Sequence, residues 1–159
     1  MIPRLGVNID HIATLRNARG EFYPSIKQGA REVLDGGADQ ITIHLREDRR
    51  HIMDEDLIVV KEVTDEYSCP LNLEIGTDFS IAKIAGELRP EWVCIVPEKR
   101  EEQTTEGGLD LGNEKVFNKI KMIIKMLKDL SSDTKISLFV EANDITYEKV
   151  SSISSDVKA

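Results

Sequence analysis

The sequence predicts an α/β fold in which parallel strands alternate with helices, as the first five units of an eight-stranded (β/α)8 barrel. Three observations predict it. Five short segments rich in β-branched and alternating apolar residues are separated by stretches whose apolar residues recur every three to four positions. Parallel strands can be joined only by a long crossover, so this strict alternation implies a parallel sheet. Polar and titratable residues gather at the strand ends. A (β/α) barrel carries its site on that face, whereas a doubly wound sheet concentrates its site at one switch point.

The first strand covers residues 5–9, and its end carries Asn8, Asp10 and His11. The first helix opens at Pro24 and Ser25, carries Ile26, Ala30, Val33 and Leu34 on one face, and closes at Gly36 and Gly37, where a left-handed residue is required. Residues 40–44 form the second strand, which ends in His44 and runs into a loop with Arg46, Arg49, Arg50 and His51. Leu57, Val60 and Val63 mark the next helix. The third strand, residues 71–75, brings Glu74 to its end, and Ile81, Ile84, Ala85 and Leu88 form the helix after it. Residues 92–96 make the fourth strand, followed by Glu98, Lys99 and Arg100. The longest helix spans residues 113–130, with Val116, Ile120, Ile123, Ile124 and Leu127 on its apolar side. Residues 136–140 form the fifth strand, Glu141 follows it, and a weaker helix begins near Asp144. A full barrel takes on the order of 250 residues. The 159 residues are therefore read as a single domain, residues 1–159, forming an incomplete barrel.

Composition narrows the function classes. A net charge of −8 argues against a nucleic-acid surface, which needs a basic face. Basic residues fall instead into small clusters, Arg16 with Arg19, Arg46 with Arg49 and Arg50, and Lys99 with Arg100, a pattern suited to a small phosphorylated metabolite. Cys69 and Cys94 have no framework spacing, and Cys94 lies in an apolar run where a buried thiol is ordinary. No stretch is long and apolar enough for export or for a membrane span, so a cytoplasmic protein without a membrane partner is expected.

All three histidines, His11, His44 and His51, cluster about the first two strand ends, and none is expected on a helix face. Imidazole exchanges a proton near neutrality, and guanidinium grips phosphate with a fork that stays charged. A charged run is often only a solvated loop, but here it sits at a strand tip. Glu74 closes an apolar strand, where a charge calls for a partner or a task. Glu98, Lys99 and Arg100 read more simply as ion-pairing groups.

Three segments carry a family resemblance: Gly6-Val7-Asn8-Ile9-Asp10-His11-Ile12-Ala13-Thr14-Leu15-Arg16-Asn17-Ala18-Arg19-Gly20, the loop from His44 to His51, and Val96-Pro97-Glu98-Lys99-Arg100 running on to Thr104-Thr105-Glu106-Gly107-Gly108-Leu109-Asp110. With Leu71-Asn72-Leu73-Glu74 and Ser137-Leu138-Phe139, they make the chain, from about Leu5 to about Asp144, closely resemble the pyridoxine 5′-phosphate synthase family of vitamin B6 biosynthesis. The resemblance implies a TIM-type (β/α)8 barrel and a homo-oligomer, an octamer in the family. It also implies the joining of 3-amino-2-oxopropyl phosphate to 1-deoxy-D-xylulose 5-phosphate, with no metal or organic cofactor. Residue by residue, Asn8 and Arg19 match positions that hold the amino-ketone phosphate. Asp10, His11, Arg46, His51 and Thr104 match positions that hold the deoxyxylulose phosphate, and His44 and Glu74 match catalytic proton acceptors. The loop containing Thr104 then reads as a substrate cover.

Against the family pattern, the later strands, a third catalytic histidine and the glycine-rich phosphate segments do not follow, so the sequence is read as an N-terminal portion of such a synthase. Two alternatives stand beside this reading. One is a metal-dependent barrel hydrolase using Asp10, His11, His44, His51 and Glu74 as ligands, against which the neighbouring arginines argue. The other is an inactive fragment that acts only in binding or assembly.

Overall fold

A computed structural model describes residues 3–98, 107–153 and 155–157. The five strands follow one another in the sheet in the order in which they occur along the chain. The chain divides into two compact units, Met1–Glu74 and Ile75–Ala159, the division falling near the end of the third strand.

In the first unit, β1 (Gly6–Asn8) pairs in parallel with β2 (Gln40–Leu45) in the register Gly6↔Gln40, Val7↔Ile41 and Asn8↔Thr42. The Ile41 N–H donates to the Pro70 carbonyl, tying β2 to the start of β3 (Leu71–Ile75). Alternation then sorts the side chains. Ile41, Ile43, Leu45, Leu71 and Leu73 are fully buried, and each such side chain contributes about 1.5–3 kcal/mol relative to its exposed state. The alternate residues carry polar groups, and Asn72 Nδ2 donates to Thr42 Oγ1 at 3.2 Å.

The helices of this unit include one the sequence pattern did not predict. Residues 10–19, expected as part of a strand-end loop, form α1 (Asp10–Arg19), closed by Gly20 at φ 63°. His11 therefore lies in the first turn of a helix, contrary to the expectation that no histidine does. Few of its apolar side chains face inward, and its buried residues are Asp10 and Ala13, so the usual periodic signal is weak. α2 (Ile26–Asp35) is capped by Ser25, which accepts the Gln28 N–H, and buries Ile26, Ala30 and Leu34. Gly37, at φ 94°, supplies the left-handed residue expected after it. α1 and α2 approach closely: a Cβ on Gly29 would lie 2.3 Å from Ile12 Cδ1. α3 (Asp54–Glu66) starts with Asp54, Glu55 and Asp56, acidic groups that favour a helix N-terminus.

In the second unit, α4 (Phe79–Leu88) is capped by Asp78, which accepts the N–H groups of Ser80 and Ile81. β4 (Trp92–Ile95) pairs in parallel with β5 (Lys135–Leu138), from Trp92↔Lys135 to Ile95↔Leu138. α5 (Glu114–Leu130), capped by Asn113, buries Phe117, Ile120, Ile123, Ile124 and Leu127; the last four are those its periodicity identifies, and Phe117 is buried where Val116 is expected. α6 (Asp144–Ser152) is capped by Asn143. These five strands and their helices give the predicted α/β architecture, with strand ends within one or two residues of those expected. Lys99, Arg100 and Thr104 lie outside the described residues.

Candidate active site

The site in the first unit is built on Asp10. The Asn8 side chain accepts the Asp10 N–H and donates to Asp10 Oδ2, both at 2.9 Å, which fixes the turn from β1 into α1. The other carboxylate oxygen, Oδ1, accepts the backbone N–H of His44 at 2.8 Å. Asp10 is 6% exposed, and both of its oxygens are engaged. It braces the start of α1 against β2 and places a negative charge beside the His44 backbone.

His44 is the fifth residue of the six-residue β2 and is itself buried. Its Nδ1 lies 3.8 Å from Glu74 Oε2 on β3, beyond hydrogen-bond length but within the range of direct charge interaction. Burial holds the Glu74 carboxyl above the usual carboxylate range; the His44 ring opposes the shift and Asp10 adds to it. The result is a carboxyl and an imidazole, side by side, able to pass a proton between themselves and a third group.

A second cluster adjoins them. The Thr14 hydroxyl lies 2.7 Å from His51 Nδ1 and 3.3 Å from His11 Nδ1, and the two rings meet edge to face with centroids 5.5 Å apart. Burial lowers the His51 pKa; His11, Arg46 and Arg50 lower it further, while Asp10 opposes them. Asn17 Nδ2 donates to the His51 carbonyl at 2.8 Å and so holds the end of the loop. Thr14 and Asn17 were not among the residues singled out in the sequence. Recognising α1 would have revealed them, since positions 10, 14 and 17 share one helical face.

The loop arginines differ from one another. Arg46 is 4% exposed, with its Nε 3.4 Å from Asp48 Oδ1. Arg49, at φ 52°, forks onto Asp54 at 2.7 and 3.0 Å and donates to the Arg46 carbonyl. Arg50 grips Asp48 Oδ2 through Nε and Nη2 at 2.8 and 2.6 Å. Burial would raise the Asp48 pKa, but Arg50 and Arg46 outweigh it and bring it to about 2. On α1, Arg16 makes a bidentate pair with Asp56 at 2.6 and 2.9 Å. Thus Arg16, Arg49 and Arg50, expected to serve an anionic ligand, are engaged by carboxylates that shape the loop and helix starts.

The structure gathers Asn8, Asp10, His11, His44, Arg46, His51 and Glu74 into these linked clusters. It does not bring Arg19 into them. That residue is exposed at the far end of α1, roughly 14 Å of helical rise from Asp10, and makes no hydrogen bond or ion pair among the described residues. Thr104 lies outside the described residues. In the second unit, Glu141 Oε1 accepts the Gly108 N–H at 2.6 Å, which gives it a loop-holding contact. Among the described residues, no three His, Cys, Asp or Glu side chains converge as a metal ion requires, and the hydrolase alternative finds no support. Nor is any described helix long and apolar enough to cross a membrane.

Comparison with known proteins shows what the chain resembles in sequence and in fold. The chain is 51% identical over 140 residues to the pyridoxine 5′-phosphate synthase of Wolbachia pipientis subsp. Culex pipiens, covering 88% of this chain and 57% of that protein. It is 50% identical over 151 residues to the synthase of Ehrlichia ruminantium, covering 94% and 60%. The chain thus spans somewhat over half the length of these curated relatives. A solved D-allulose 3-epimerase from Methylomonas sp. shares the fold at 12% identity and a TM-score of 0.52, over 97% of this chain and 59% of that one. The family model for the pyridoxal phosphate biosynthesis protein PdxJ matches residues 5–157, and the chain belongs to that family.

Proposed function

We propose that the protein acts as a pyridoxine 5′-phosphate synthase, joining 3-amino-2-oxopropyl phosphate to 1-deoxy-D-xylulose 5-phosphate and releasing pyridoxine 5′-phosphate, phosphate and water. The observation that carries the reading is the His44–Glu74 pair, 3.8 Å apart on neighbouring strands with the carboxyl held toward its protonated form. Condensing an amine with a ketone, expelling phosphate and closing an aromatic ring demand repeated proton transfers. A buried histidine and a glutamate of raised pKa serve as the acceptors, each transfer being worth about 10²- to 10⁴-fold in rate.

In this reading Asn8 and Arg19 hold the amino-ketone phosphate, and Asp10, His11, Arg46, His51 and Thr104 hold the deoxyxylulose phosphate. Asp10, with both oxygens committed to Asn8 and His44, serves by orienting His44 as much as by touching substrate. Residues 1–159 act as a single domain in a cytoplasmic homo-oligomer, and the proton transfers are carried by side chains without a cofactor.

The test is formation of pyridoxine 5′-phosphate from both substrates. Two proteins are assayed: the 159-residue chain, and the same residues joined to the part of the Wolbachia relative's chain that lies beyond the matched segment. Product from either, abolished by His44→Gln, is the expected result. A folded hybrid that makes no product would contradict the proposal.

A further inference from the structure

We propose that Thr14 is a positioning residue that fixes the tautomer of both His11 and His51, holding the ring hydrogen on Nδ1 and leaving Nε2 as the lone-pair nitrogen. The argument is a count of hydrogens. A threonine hydroxyl has one hydrogen to donate and two lone pairs to accept with. Thr14 Oγ1 has three neighbours at hydrogen-bond distance: the Asp10 carbonyl at 3.3 Å, His11 Nδ1 at 3.3 Å and His51 Nδ1 at 2.7 Å.

A carbonyl oxygen has no hydrogen, so the contact with Asp10 is a bond only if the hydroxyl donates to it. That direction is the ordinary one for a helical threonine, which bonds back to the carbonyl four residues earlier. With its hydrogen committed, Thr14 offers only lone pairs to the two rings, and both Nδ1 atoms must carry hydrogens. Were the hydrogen turned toward His51 instead, the Asp10 contact would be lost. One arrangement alone satisfies all three.

The consequence deepens the synthase reading, on which its functional meaning rests. A neutral ring in water favours its hydrogen on Nε2, and the partner of one nitrogen decides the state of the other. Thr14 reverses that preference at two rings 5.5 Å apart. Each neutral ring then meets a ligand as a hydrogen-bond acceptor, suited to a substrate hydroxyl, and must take up a proton before it can hold a phosphate oxygen. Thr14 thereby selects which part of a sugar phosphate these rings accept.

The experiment is nitrogen-15 NMR of the histidine rings in the 159-residue chain, at a pH where they are neutral, which needs no substrate. The expected spectrum shows Nδ1 bonded to hydrogen and Nε2 bare at His51 and His11. In Thr14→Val the His51 pattern inverts to the Nε2–H form, and in Thr14→Ser it is retained. An Nε2–H pattern at His51 in the unsubstituted chain, or no inversion in a folded Thr14→Val, would overturn the proposal. Should Thr14→Val not fold, the unsubstituted spectrum decides alone. A folded hybrid that makes no product, alongside the expected tautomer in the 159-residue chain, would reject only the synthase reading.

Discussion

The Glu74 end of β3 and the Asp48 turn after β2 both hold a carboxylate beside nitrogen bases, yet their protonation moves in opposite directions. Asp48 is gripped twice by Arg50 and lies near Arg46, and its pKa falls to about 2. Glu74 has a histidine 3.8 Å away and is more deeply buried, and its pKa rises. Direct guanidinium bonds outweigh desolvation in the first case; a more distant imidazole does not in the second. A saturated charge shapes the loop, whereas an undercompensated one remains able to exchange a proton.

The largest effect that probes this contrast is on turnover. His44→Gln and Glu74→Gln keep polarity but cannot cycle a proton near neutrality, so each should lower kcat by about 10²- to 10⁴-fold while leaving substrate dissociation constants nearly unchanged. Equal losses in affinity and turnover would mean that the pair binds rather than transfers.

The structural side of the contrast is tested at Asp56, which is 3% exposed, forks onto Arg16 and accepts the Met53 N–H. Asp56→Ala removes these bonds and leaves Arg16 without its carboxylate, at an expected cost of about 3 kcal/mol in urea unfolding. An unchanged midpoint would show that the pair is decorative.

Arg19 sharpens the comparison differently, because it lies apart from both regions. If it reaches the amino-ketone phosphate on binding, Arg19→Ala should weaken that ligand by about 1.5–3 kcal/mol and leave the deoxyxylulose phosphate alone. Titration calorimetry with each substrate separates the cases, and equal weakening of both would exclude a selective contact.

The smallest effect is at Asp48. A depressed carboxyl pKa contributes stability that is present above its ordinary value, near 3.9, and is lost as pH falls toward about 2. The stability difference between wild type and Asp48→Asn should therefore shrink between pH 4 and pH 2. It will be modest, since both partners are 30% exposed. A constant difference across that range would remove the ion pair from the account.

Much of this organisation is legible in the sequence, for reasons that can be named. The strands announce themselves because Ile41, Ile43, Leu45, Leu71 and Leu73 alternate with Thr42, His44, Asn72 and Glu74, so a period of two marks both core and site. α1 is hidden because its inward positions carry Asp10, Thr14 and Asn17, whose partners are hydrogen-bonding groups rather than an apolar core. The ion pairs of Arg49 and Arg50 are hidden for a related reason. Their carboxylate partners Asp48 and Asp54 are close in sequence, but only the turn at Arg49 brings the groups face to face.

The central claim, that Glu74 is kept at a cost to stability because its proton is used, is tested most directly by comparing wild type and Glu74→Gln at pH 4 and pH 7. For a carboxyl whose folded pKa is raised, the folded state retains the proton that the unfolded state releases. Its stability therefore declines as pH rises from the unfolded value, near 4.3, through the folded one. Glutamine has no such penalty. Thermal unfolding should show Glu74→Gln gaining stability relative to wild type between pH 4 and pH 7, in the same variant that loses turnover. A gap that stays constant, or that moves in favour of wild type at pH 7, would contradict the account.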